Sequence, residues 1–353
     1  MNILVTGGLG FMGSNLVRYL YKNYPDYSIW NLDLITYAGN PENLADIETK
    51  ERNKTSVNQR YHFIRGDICD ELLLEYLFEK NSFDAVIHLA AETHVDRSIT
   101  DARNFVRTNV KGVQALFDVM RLHPVPRIIH ISTDEVYGDR LGLDPADELA
   151  AFRPSNPYSA SKAAGDLLVQ SYIRTYHMPA IIVRAANNYG PRQHPEKLIP
   201  IAISNLLEGK KMPIHGKGDS IRSWLFVSDF ASAIDTLLHK GVLGEWYNVG
   251  GIEKTIGEVA ERIATLLGRD PKKSIEYVSA RPGADMRYAL SWEKIRTNHQ
   301  WQPKYTFEKA LADTVDWYVA NKEWWKRVRA TQSFQASYER QATGKWFGNT
   351  NSF

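Results

Sequence analysis

Two pairs of reactive side chains lie near the middle of this chain. Asp134 and Glu135 are adjacent and directly follow Thr133, and Tyr158 precedes Lys162 by four residues. Side chains four apart share one face of a helix. A nearby ammonium and the positive charge of a nicotinamide would together lower the pKa of Tyr158, so that its phenolate could take the proton of an alcohol while hydride leaves the same carbon. A tyrosine and a lysine that are merely exposed on a helix are the alternative.

The two adjacent carboxylates indicate a further step. Repulsion between neighbouring carboxylates separates their pKa values, so one can act as an acid and the other as a base. Both follow a predicted buried strand at 127–131, and ligands of open α/β sheets bind at the carboxyl ends of strands. Thr133 could hydrogen-bond the reacting hydroxyl. Asp134 and Glu135 would therefore catalyse loss of water after the oxidation. The spacing alone leaves open that they are solvated loop carboxylates.

A glycine-rich turn near the N-terminus indicates the hydride acceptor. Gly7, Gly10 and Gly13 lie between a predicted strand and a predicted helix. There they allow a tight turn and close approach of a pyrophosphate, which the helix N-terminus faces. Asp33 ends the second predicted strand, where a carboxylate accepts from both ribose hydroxyls and repels a 2′-phosphate. NAD is therefore favoured over NADP, with a glycine turn that binds no ligand as the alternative.

Two later strand ends extend the predicted cofactor site. Asp67 and Ile68 follow the third strand, where they suit the adenine edge. The small residues at 89–91 follow the fourth strand and can lie along the diphosphate and the nicotinamide ribose. Both assignments rest on position, since any strand end can carry such residues.

Short apolar runs alternate with helical patterns through the first half of the chain. The predicted strands are 3–5, 28–32, 61–64, 85–89, 127–131 and 180–184, and the predicted helices include 14–24, 103–122 and 157–177. This alternation predicts an α/β fold, a Rossmann-type doubly wound parallel sheet with a smaller mixed α/β C-terminal substrate domain. The expected parts are an NAD-binding domain at 1–186 with a strand and helix returning to it around 222–250, a substrate-binding region at 187–330, and a C-terminal arm at 331–353 of undecided order.

Composition argues against several other classes of protein. The chain has 353 residues and a formal net charge of +2, so no global field attracts it to nucleic acid or to a membrane surface. Its single cysteine, Cys69, excludes an intramolecular disulfide, and its 10 histidines form no ligand-spaced cluster that would predict a metal. We expect no secretory signal and no membrane-spanning run, and therefore a cytoplasmic protein.

Blocks spread along the chain resemble the extended short-chain dehydrogenase/reductase superfamily and, within it, the dTDP-glucose 4,6-dehydratases. The blocks run from residue 1 to about 290 and are TGGLGFMGSN, NLDLITYAGNPENL, HLAAETHVDRSI, TNVKG, ISTDEVYGD, PYSASKA, RAANNYGPRQHPEKLIP, IRSWLFVSDF, YNVGG and RPGADMRYA. The Asp134-Glu135 pair and the run AETHVDRS at 91–98 are the specific ones. Related epimerases share the glycine turn and the tyrosine–lysine spacing but differ at those two places.

The resemblance implies dehydration of a nucleotide sugar. Tyr158 would take the proton of the glucose 4-hydroxyl as hydride passes from C4 to NAD, and Lys162 would also hold the nicotinamide ribose. Glu135 would take the C5 proton while Asp134 protonates the departing 6-hydroxyl. Hydride would then return to C6 and a proton to C5. The product would be the 4-keto-6-deoxy sugar nucleotide, with tightly bound NAD regenerated.

The resemblance also implies two sets of binding residues. Cofactor contacts are expected from Gly7, Gly10, Phe11, Met12, Gly13, Asp33, Leu34, Ile35, Thr36, Asp67, Ile68, Leu89, Ala90, Ala91, Thr108, Tyr158, Lys162 and Asn188. Substrate contacts are expected from Thr93, Thr133, Asn187, Lys197, Leu198, Pro213, Ile214, His215, Arg222, Asn248, Arg281, Asp285 and Tyr288. Arginines suit the diphosphate, because a guanidinium fork matches phosphate oxygens.

Three positions depart from the family pattern. Ser223 stands where aspartate is usual, and Ala284 and Met286 replace a histidine and an arginine. These changes put the nucleotide base in doubt more than the chemistry. The alternatives are an NAD-dependent sugar-nucleotide 4-epimerase or a 4,6-dehydratase that acts on another nucleotide sugar. An epimerase has no need for the acid–base pair, and the intact tyrosine and lysine argue against a non-catalytic dinucleotide sensor.

The predicted helices at 103–122 and 158–176 carry apolar residues on more than one face. We predict that they pair across a two-fold axis into a four-helix interface, as the family does, which would give a homodimer. Neither nucleic acid nor a membrane is an expected partner.

Overall fold

A computed structural model of the chain describes residues 1–55, 58–280 and 283–343. Its strands are β1 Asn2–Thr6, β2 Ser28–Asp33, β3 Tyr61–Arg65, β4 Ala85–His88, β5 Ile128–Thr133, β6 Ala180–Ala185, β7 Asn187–Tyr189, β8 Met212–His215, β9 Ile221–Phe226, β10 Trp246–Val249, β11 Ile252–Thr255 and β12 Ile275–Val278. Each of the six predicted strands is present to within two residues at either end.

Helices separate most of these strands. They are α1 Phe11–Asn23, α2 Ala45–Arg52, α3 Glu71–Lys80, α4 Val95–Thr100, α5 Arg103–Val106, α6 Val113–Leu122, α7 Pro157–Tyr176, α8 Leu198–Leu207, α9 Val227–Lys240, α10 Ile256–Leu266, α11 Pro271–Ser274, α12 Glu293–His299, α13 Phe307–Ala320, α14 Lys322–Arg329 and α15 Gln332–Thr343. A π-helical turn, Arg107–Gly112, joins α5 to α6, so the helix predicted at 103–122 is one continuous helical segment.

Seven strands form the central sheet, in the order β10-β6-β5-β4-β1-β2-β3. Every pair of neighbours in it is parallel. Strands of such a sheet are buried on both faces and therefore read as continuous apolar runs, as β4 and β5 do. The predicted Rossmann-type parallel α/β fold is confirmed.

Helices cover both faces of the central sheet. On one face α1 and α9 pack together, and Leu16, Leu20 and Ile234 enclose one apolar core. On the other face α3, α6 and α7 enclose a second core through residues such as Leu74 and Leu116. These cores hold the carboxyl ends of the strands at one rigid edge.

The second half of the chain has a core of its own. A three-stranded sheet, β11-β9-β7, and a two-stranded sheet, β12-β8, lie beside α8, α10, α13 and α14. Their apolar side chains, among them Trp325 and Tyr318, are buried together. Strand β10 comes from this half of the sequence but pairs with β6 at the edge of the central sheet.

Two polar segments are helical in part. The segment at 48–60 contributes its first residues to α2, where buried Glu51 accepts a hydrogen bond from the backbone nitrogen of Arg60 at 2.6 Å. The C-terminal arm forms α15, whose Phe334 is buried against the body. Trp346, Phe347 and Phe353, the remaining aromatic residues of the arm, lie outside the described residues.

Candidate active site

One cavity follows the carboxyl ends of β1, β2, β4 and β5 and contains both predicted pairs. The predicted cofactor residues that line it are Gly7, Gly10, Phe11, Met12, Gly13, Asp33, Leu34, Thr36, Asp67, Ile68, Leu89, Ala90, Ala91, Thr108, Tyr158, Lys162 and Asn188. The predicted substrate residues that line it are Thr93, Thr133, Asn187 and Lys197, and Asp134 and Glu135 complete the set. Parallel strands end at one edge of a sheet, which is why residues so distant in sequence meet there.

The glycine turn forms a closely packed cradle, in which neighbouring backbone leaves no room for a Cβ at Gly7 or Gly13. Gly7 has a left-handed φ of 74°, and a Cβ there would lie 2.7 Å from the backbone of Ala90. A Cβ on Gly13 would lie 2.2 Å from the Gly7 carbonyl oxygen. Helix α1 begins after Gly10 with no side-chain cap, so its first backbone N–H groups face the cavity. This cradle fits the pyrophosphate of a dinucleotide.

Asp33 is fixed at the end of β2 by two backbone groups. Its Oδ2 accepts from the Leu9 nitrogen at 2.9 Å and its Oδ1 from the Ile35 nitrogen at 2.8 Å. Burial raises the pKa of this carboxyl, which those two hydrogen bonds counteract. A carboxylate held in this place fits ribose hydroxyls, so the described residues fit NAD.

Ile35 is the one predicted cofactor residue that does not line the cavity. It has a left-handed φ of 58° and its side chain packs against the core beneath the sheet. The turn after Asp33 directs Leu34 and Thr36 toward the cavity, and the cofactor contact expected from Ile35 stays a prediction.

Thr133, Asp134 and Glu135 lie where β5 passes into a 3-10 turn, Asp134–Tyr137. All three are buried. The Thr133 hydroxyl donates to Asp134 Oδ1 at 3.2 Å and accepts from the Glu135 nitrogen at 3.3 Å. Asp134 Oδ2 has no hydrogen-bond partner among the described residues. Burial, together with the Glu135 carboxylate, raises the pKa of Asp134 to about 8, which keeps it an acid at neutral pH.

Tyr158 is set in place by the start of α7. Asn156 and Ser159 form a capping box around Pro157, the first residue of the helix, which fixes where the helix begins. The Tyr158 nitrogen donates to the Ser98 hydroxyl at 3.1 Å. The cap and this contact turn the buried phenol toward Thr133 and the two carboxylates.

The residues around Tyr158 favour its neutral form. Burial and the nearby carboxylates of Glu135 and Asp134 raise the pKa of Tyr158, and only Thr133 opposes this by lowering it. The Lys162 ammonium donates to the Ile131 carbonyl at 2.7 Å, and burial lowers the pKa of Lys162 to about 8. The lower tyrosine pKa that we expect from Lys162 and a nicotinamide charge together stays a prediction.

Three residues from the second half of the chain reach the carboxylates. The Tyr288 hydroxyl donates to Asp285 Oδ2 at 2.6 Å and lies 3.3 Å from Glu135 Oε2. Arg222 stacks its guanidinium 4.3 Å from the centre of the Tyr288 ring and donates to the Asp285 carbonyl at 2.9 Å. Tyr288, predicted only as a substrate contact, thus also lies against Glu135, and it is held there by Asp285 and Arg222.

Other predicted substrate residues lie elsewhere. Asn248 is fully buried, and its amide is used by Tyr137, Ala146 and Ser291. Ile214 is fully buried in the core of the second half. Neither residue lines the cavity, so the nucleotide contact expected from each stays a prediction.

The remaining predicted substrate residues do not lie together in one site. Leu198 packs against the second-half core, and His215 Nε2 lies 3.0 Å from the Gln341 carbonyl oxygen of α15. Pro213 is half-buried on β8 next to them. Arg281 lies outside the described residues.

Several cavity residues were missed by the sequence analysis. They are Glu92, Ser132, Gln193, His194 and Glu196. Burial raises the pKa of Glu92 to about 7. Glu92 and Glu196 both fall in blocks that carry the resemblance, which was the available signal, but nothing in their spacing indicated that they are buried.

The three departures from the family pattern lie in different local surroundings. The Ser223 hydroxyl accepts from the Gly251 nitrogen at 3.2 Å, which fixes the turn before β11. The Met286 nitrogen donates to Asp139 Oδ2 at 2.9 Å. Ala284 is half-buried, and nothing in the structure explains its replacement of histidine.

Two features are absent from the described residues. None of their helices combines the length and the hydrophobicity that crossing a membrane requires. No group of three or more histidine, cysteine, aspartate or glutamate side chains is arranged to hold a metal ion in this part of the chain.

Comparison with known proteins places these features in a family. The family model described as GDP-mannose 4,6 dehydratase matches residues 4–314. A dTDP-glucose 4,6-dehydratase of Haemophilus influenzae is 48% identical over 91% of this chain and 98% of its own length. One of Shigella flexneri is 44% identical over 98% of this chain and all of its own length.

Solved structures give the same result. A dTDP-glucose 4,6-dehydratase of Bacillus anthracis in complex with NAD is 44% identical, with a TM-score of 0.85 over 93% of this chain and 99% of that one. A UDP-glucose 4-epimerase of Thermotoga maritima has a TM-score of 0.82 over 91% of this chain and all of its own, but is 29% identical. The fold is shared by both activities, whereas sequence identity is higher to the dehydratases.

Proposed function

The chain belongs to the dTDP-glucose 4,6-dehydratase family, and from that premise we propose that it removes one water from dTDP-glucose to give dTDP-4-keto-6-deoxyglucose. It is a hydro-lyase that uses tightly bound NAD, regenerated in each cycle. The observation that carries the proposal is a buried, adjacent acid and carboxylate in the same cavity as Tyr158. Oxidation at C4 alone would require neither carboxyl group.

When bound, NAD supplies a hydride acceptor at C4 of the sugar and a hydride donor at C6. The glycine cradle would hold its pyrophosphate, Asp33 its adenosine ribose, and Lys162 its nicotinamide ribose. We propose that the parallel-sheet half of the chain, 1–186 with β10, binds the cofactor. The region at 187–330 would bind the nucleotide sugar.

Tyr158 would act as the base for the 4-hydroxyl. Its pKa is raised in the protein by burial and by two carboxylates, so the phenolate needs a positive charge close by. A nicotinamide cation in the adjacent cavity provides that charge. This dependence restricts the base to the cofactor-loaded enzyme, and Thr133 would hydrogen-bond the same sugar hydroxyl.

Glu135 and Asp134 would divide the elimination between them. A C4 ketone acidifies the C5 proton, which the Glu135 carboxylate takes. Asp134 remains protonated at neutral pH because of its raised pKa, and its unpartnered Oδ2 can give a proton to the departing 6-hydroxyl. Glu135 then returns its proton to C5 when C6 is reduced.

The sugar and the diphosphate would lie on the open side of these groups. Thr93 and Asn187 line the cavity beside the glucosyl position, and the Lys197 ammonium is held by the Thr93 carbonyl at 3.1 Å. Arg222 brings a guanidinium near Asp134. Cationic groups at this end would bind the diphosphate.

Mass spectrometry of the nucleotide sugar tests the reaction and the base together. Purified protein loaded with NAD is incubated separately with dTDP-glucose, UDP-glucose and GDP-mannose. We expect loss of one water from dTDP-glucose. Loss of water from another substrate would assign a different nucleotide base, which is the property that Ser223, Ala284 and Met286 put in doubt. An unchanged mass with inverted stereochemistry at C4 would replace the proposal by a 4-epimerase.

We also propose a homodimer through α5, α6 and α7. These helices pack side by side and expose large apolar side chains, including Val106, Leu122 and Leu167, each more than half exposed. Pairing of this face with its copy would form a four-helix interface. Analytical ultracentrifugation that finds only monomer at micromolar concentration would contradict it, and Leu167→Lys should weaken the dimer.

A further inference from the structure

Helix α14, near the C-terminus, contacts the cofactor half of the chain at Asn43. The indole nitrogen of Trp324 donates to Asn43 Oδ1 at 3.2 Å. Beside this contact, Arg327 donates to both carboxylate oxygens of Glu42, at 2.8 and 2.6 Å. Trp324 and Asn43 are buried, whereas Arg327 and Glu42 are exposed. Because exposed ion pairs contribute little, the buried hydrogen bond is the contact that holds α14 to this half.

Asn43 connects this contact to the glycine turn. Its Nδ2 donates to the Leu9 carbonyl oxygen at 2.9 Å, and the Asn40 nitrogen donates to the same oxygen at 3.1 Å. The Leu9 nitrogen donates in turn to Asp33 Oδ2 at 2.9 Å. Three hydrogen bonds therefore lead from Trp324 through Asn43 and Leu9 to the carboxylate that fits the adenosine ribose.

The glycine turn has few side chains of its own that could fix its shape. Leu9 lies between Gly8 and Gly10, and glycine has more backbone freedom than any other residue. Helix α1, which follows the turn, has no side-chain cap at its N-terminus. Asn43 is only 1% exposed, so its amide meets little competition from water. Its hydrogen bond to Leu9 thus restrains a turn that would otherwise be free to change shape.

The path of hydrogen bonds also joins two separate apolar cores. Leu9 belongs to the core that α1 and α9 form on one face of the central sheet, and Trp324 belongs to the core of the second half. A second link, from Asn15 Nδ2 on α1 to the Pro191 carbonyl oxygen at 3.0 Å, does not involve Asn43. The two halves therefore stay attached when Asn43 is changed, and the effect of that change falls on the turn.

We infer that Asn43 is a positioning residue for NAD, through which α14 holds the glycine turn and Asp33 in the conformation that retains the cofactor. Neither Asn43 nor Trp324 lines the cofactor cavity, so both act through Leu9 and without touching NAD. The inference rests on the use of NAD in the proposed function. It adds that a helix of the second half controls how long NAD stays bound.

Exchange of bound NAD tests the inference. Holoenzyme loaded with radiolabelled NAD is mixed with excess unlabelled NAD, and the loss of label from the protein is followed. We expect about tenfold faster loss from Asn43→Ala, which removes the hydrogen bonds to both Leu9 and Trp324. Trp324→Phe removes only the hydrogen bond to α14, and we expect about threefold faster loss from it.

Trp325→Phe is the matched control. It lies beside Trp324 on the same helix and is equally buried, but its indole nitrogen donates within the second half, to the Tyr318 carbonyl oxygen at 3.0 Å. Its release of NAD should match the wild type even if denaturant titration shows a lower free energy of unfolding. Release from Trp325→Phe as fast as from Trp324→Phe would show a general effect of stability and would overturn the inference.

The double variant Asn43→Ala with Trp324→Phe distinguishes one connected path from two independent effects. If the path runs through Asn43, the second change has no hydrogen bond left to remove, and the double variant should release NAD as fast as Asn43→Ala alone. Release accelerated by the product of the two single effects would show that the residues act independently, and the inference would then be wrong.

A wild-type rate of release in Asn43→Ala or in Trp324→Phe also overturns the inference. If Asn43→Ala does not fold, Asn43→Asp replaces it, because it keeps the oxygen that accepts from Trp324 and loses the donor to Leu9. Release from this variant should again be about tenfold faster. Wild-type protein that retains no NAD would instead contradict the cofactor of the proposed function, whatever the variants do.

Discussion

Two groups of buried carboxylates in this protein differ in what surrounds them. Asp134 in the active site is buried, has an oxygen with no partner among the described residues, and has its pKa raised to about 8. Glu196 is equally buried, but Arg97 lies 3.3 Å from its Oε2. Burial alone would raise the pKa of Glu196, yet His94 and the other basic side chains around it lower that pKa to about 2.

Helix α15 closes over the second group. The Gln341 amide donates to Asp96 Oδ2 at 2.8 Å and to the Glu196 carbonyl at 3.2 Å. We call His94, Asp96, Arg97, Glu196 and Gln341 the capped cluster. Burial alone therefore does not decide the protonation state of a carboxyl group. The basic side chains around Glu196 outweigh its burial and keep it ionised, whereas burial together with the Glu135 carboxylate keeps Asp134 an acid and available for chemistry.

The strongest test of this contrast is Glu135→Gln. Without the base, the C5 proton cannot be removed, so we expect water elimination to fall by about 10³-fold or more. Slow oxidation at C4 should persist, visible as ultraviolet absorbance of reduced nicotinamide in the presence of substrate. Glu308→Gln, at an exposed position on α13, is the matched control. Equal loss of both half-reactions would contradict the assignment.

Glu196→Gln should lower the stability of the fold. The folded-state pKa is lowered from 4.5 to about 2, so ionised Glu196 stabilises the fold above pH 4.5, and this stability is lost as the pH falls toward 2. We expect a loss of about 3 kcal/mol in the free energy of unfolding at neutral pH, measured by denaturant titration. Stability equal to that of Glu308→Gln would show that the capped cluster is not structural.

Asp134→Asn should change stability in the other direction. The folded-state pKa is raised from 3.8 to about 8, so wild-type protein loses stability as the pH rises between these values. An amide has no proton to lose, and we expect a gain of roughly 2 kcal/mol at about pH 8 that shrinks on acidification. Asp316→Asn, at an exposed position on the same helix as Glu308, is the control. A destabilised Asp134→Asn variant would contradict the difference that we describe between Asp134 and the capped cluster.

The smallest expected effect is in the pH dependence of the wild-type rate. Asp134 must be protonated to assist departure of the 6-hydroxyl, and its pKa is raised to about 8. We therefore expect kcat/KM for elimination to fall about tenfold per pH unit above about pH 8. The Asp316→Asn variant should keep this profile. A rate that stays constant to about pH 10 would remove Asp134 from the role of acid.

Local signals predicted the cofactor half of the site well. The glycine turn, Asp33 and the strand-end residues depend on a strand followed directly by a turn, and a parallel sheet brings such ends to one edge. All of the predicted cofactor residues except Ile35 line the cavity. The exception depended on the left-handed turn after Asp33, for which an isoleucine gives no signal.

The substrate half was predicted less well, because its residues come from loops and short strands far apart in sequence. Asn248 and Ile214 were expected to face a ligand and are buried instead. Tyr288 and Asp285 were expected only to bind substrate, and the fold brings Tyr288 to 3.3 Å from Glu135. Such contacts depend on how the second half packs on the sheet, which no periodicity encodes.

The sequence by itself determined the parallel sheet, the dinucleotide turn, and the presence of Asp134, Glu135, Tyr158 and Lys162 at neighbouring strand and helix ends. Periodicity and strand–turn–helix order are local properties, so they can be read without the fold. Only the tertiary structure decided the state of each group. It buried Tyr158 beside two carboxylates, which raises the pKa of the phenol, and it placed the Thr133 hydroxyl 3.2 Å from Asp134 Oδ1. Protonation depends on burial and on charges from distant segments, and these exist only once the chain has folded.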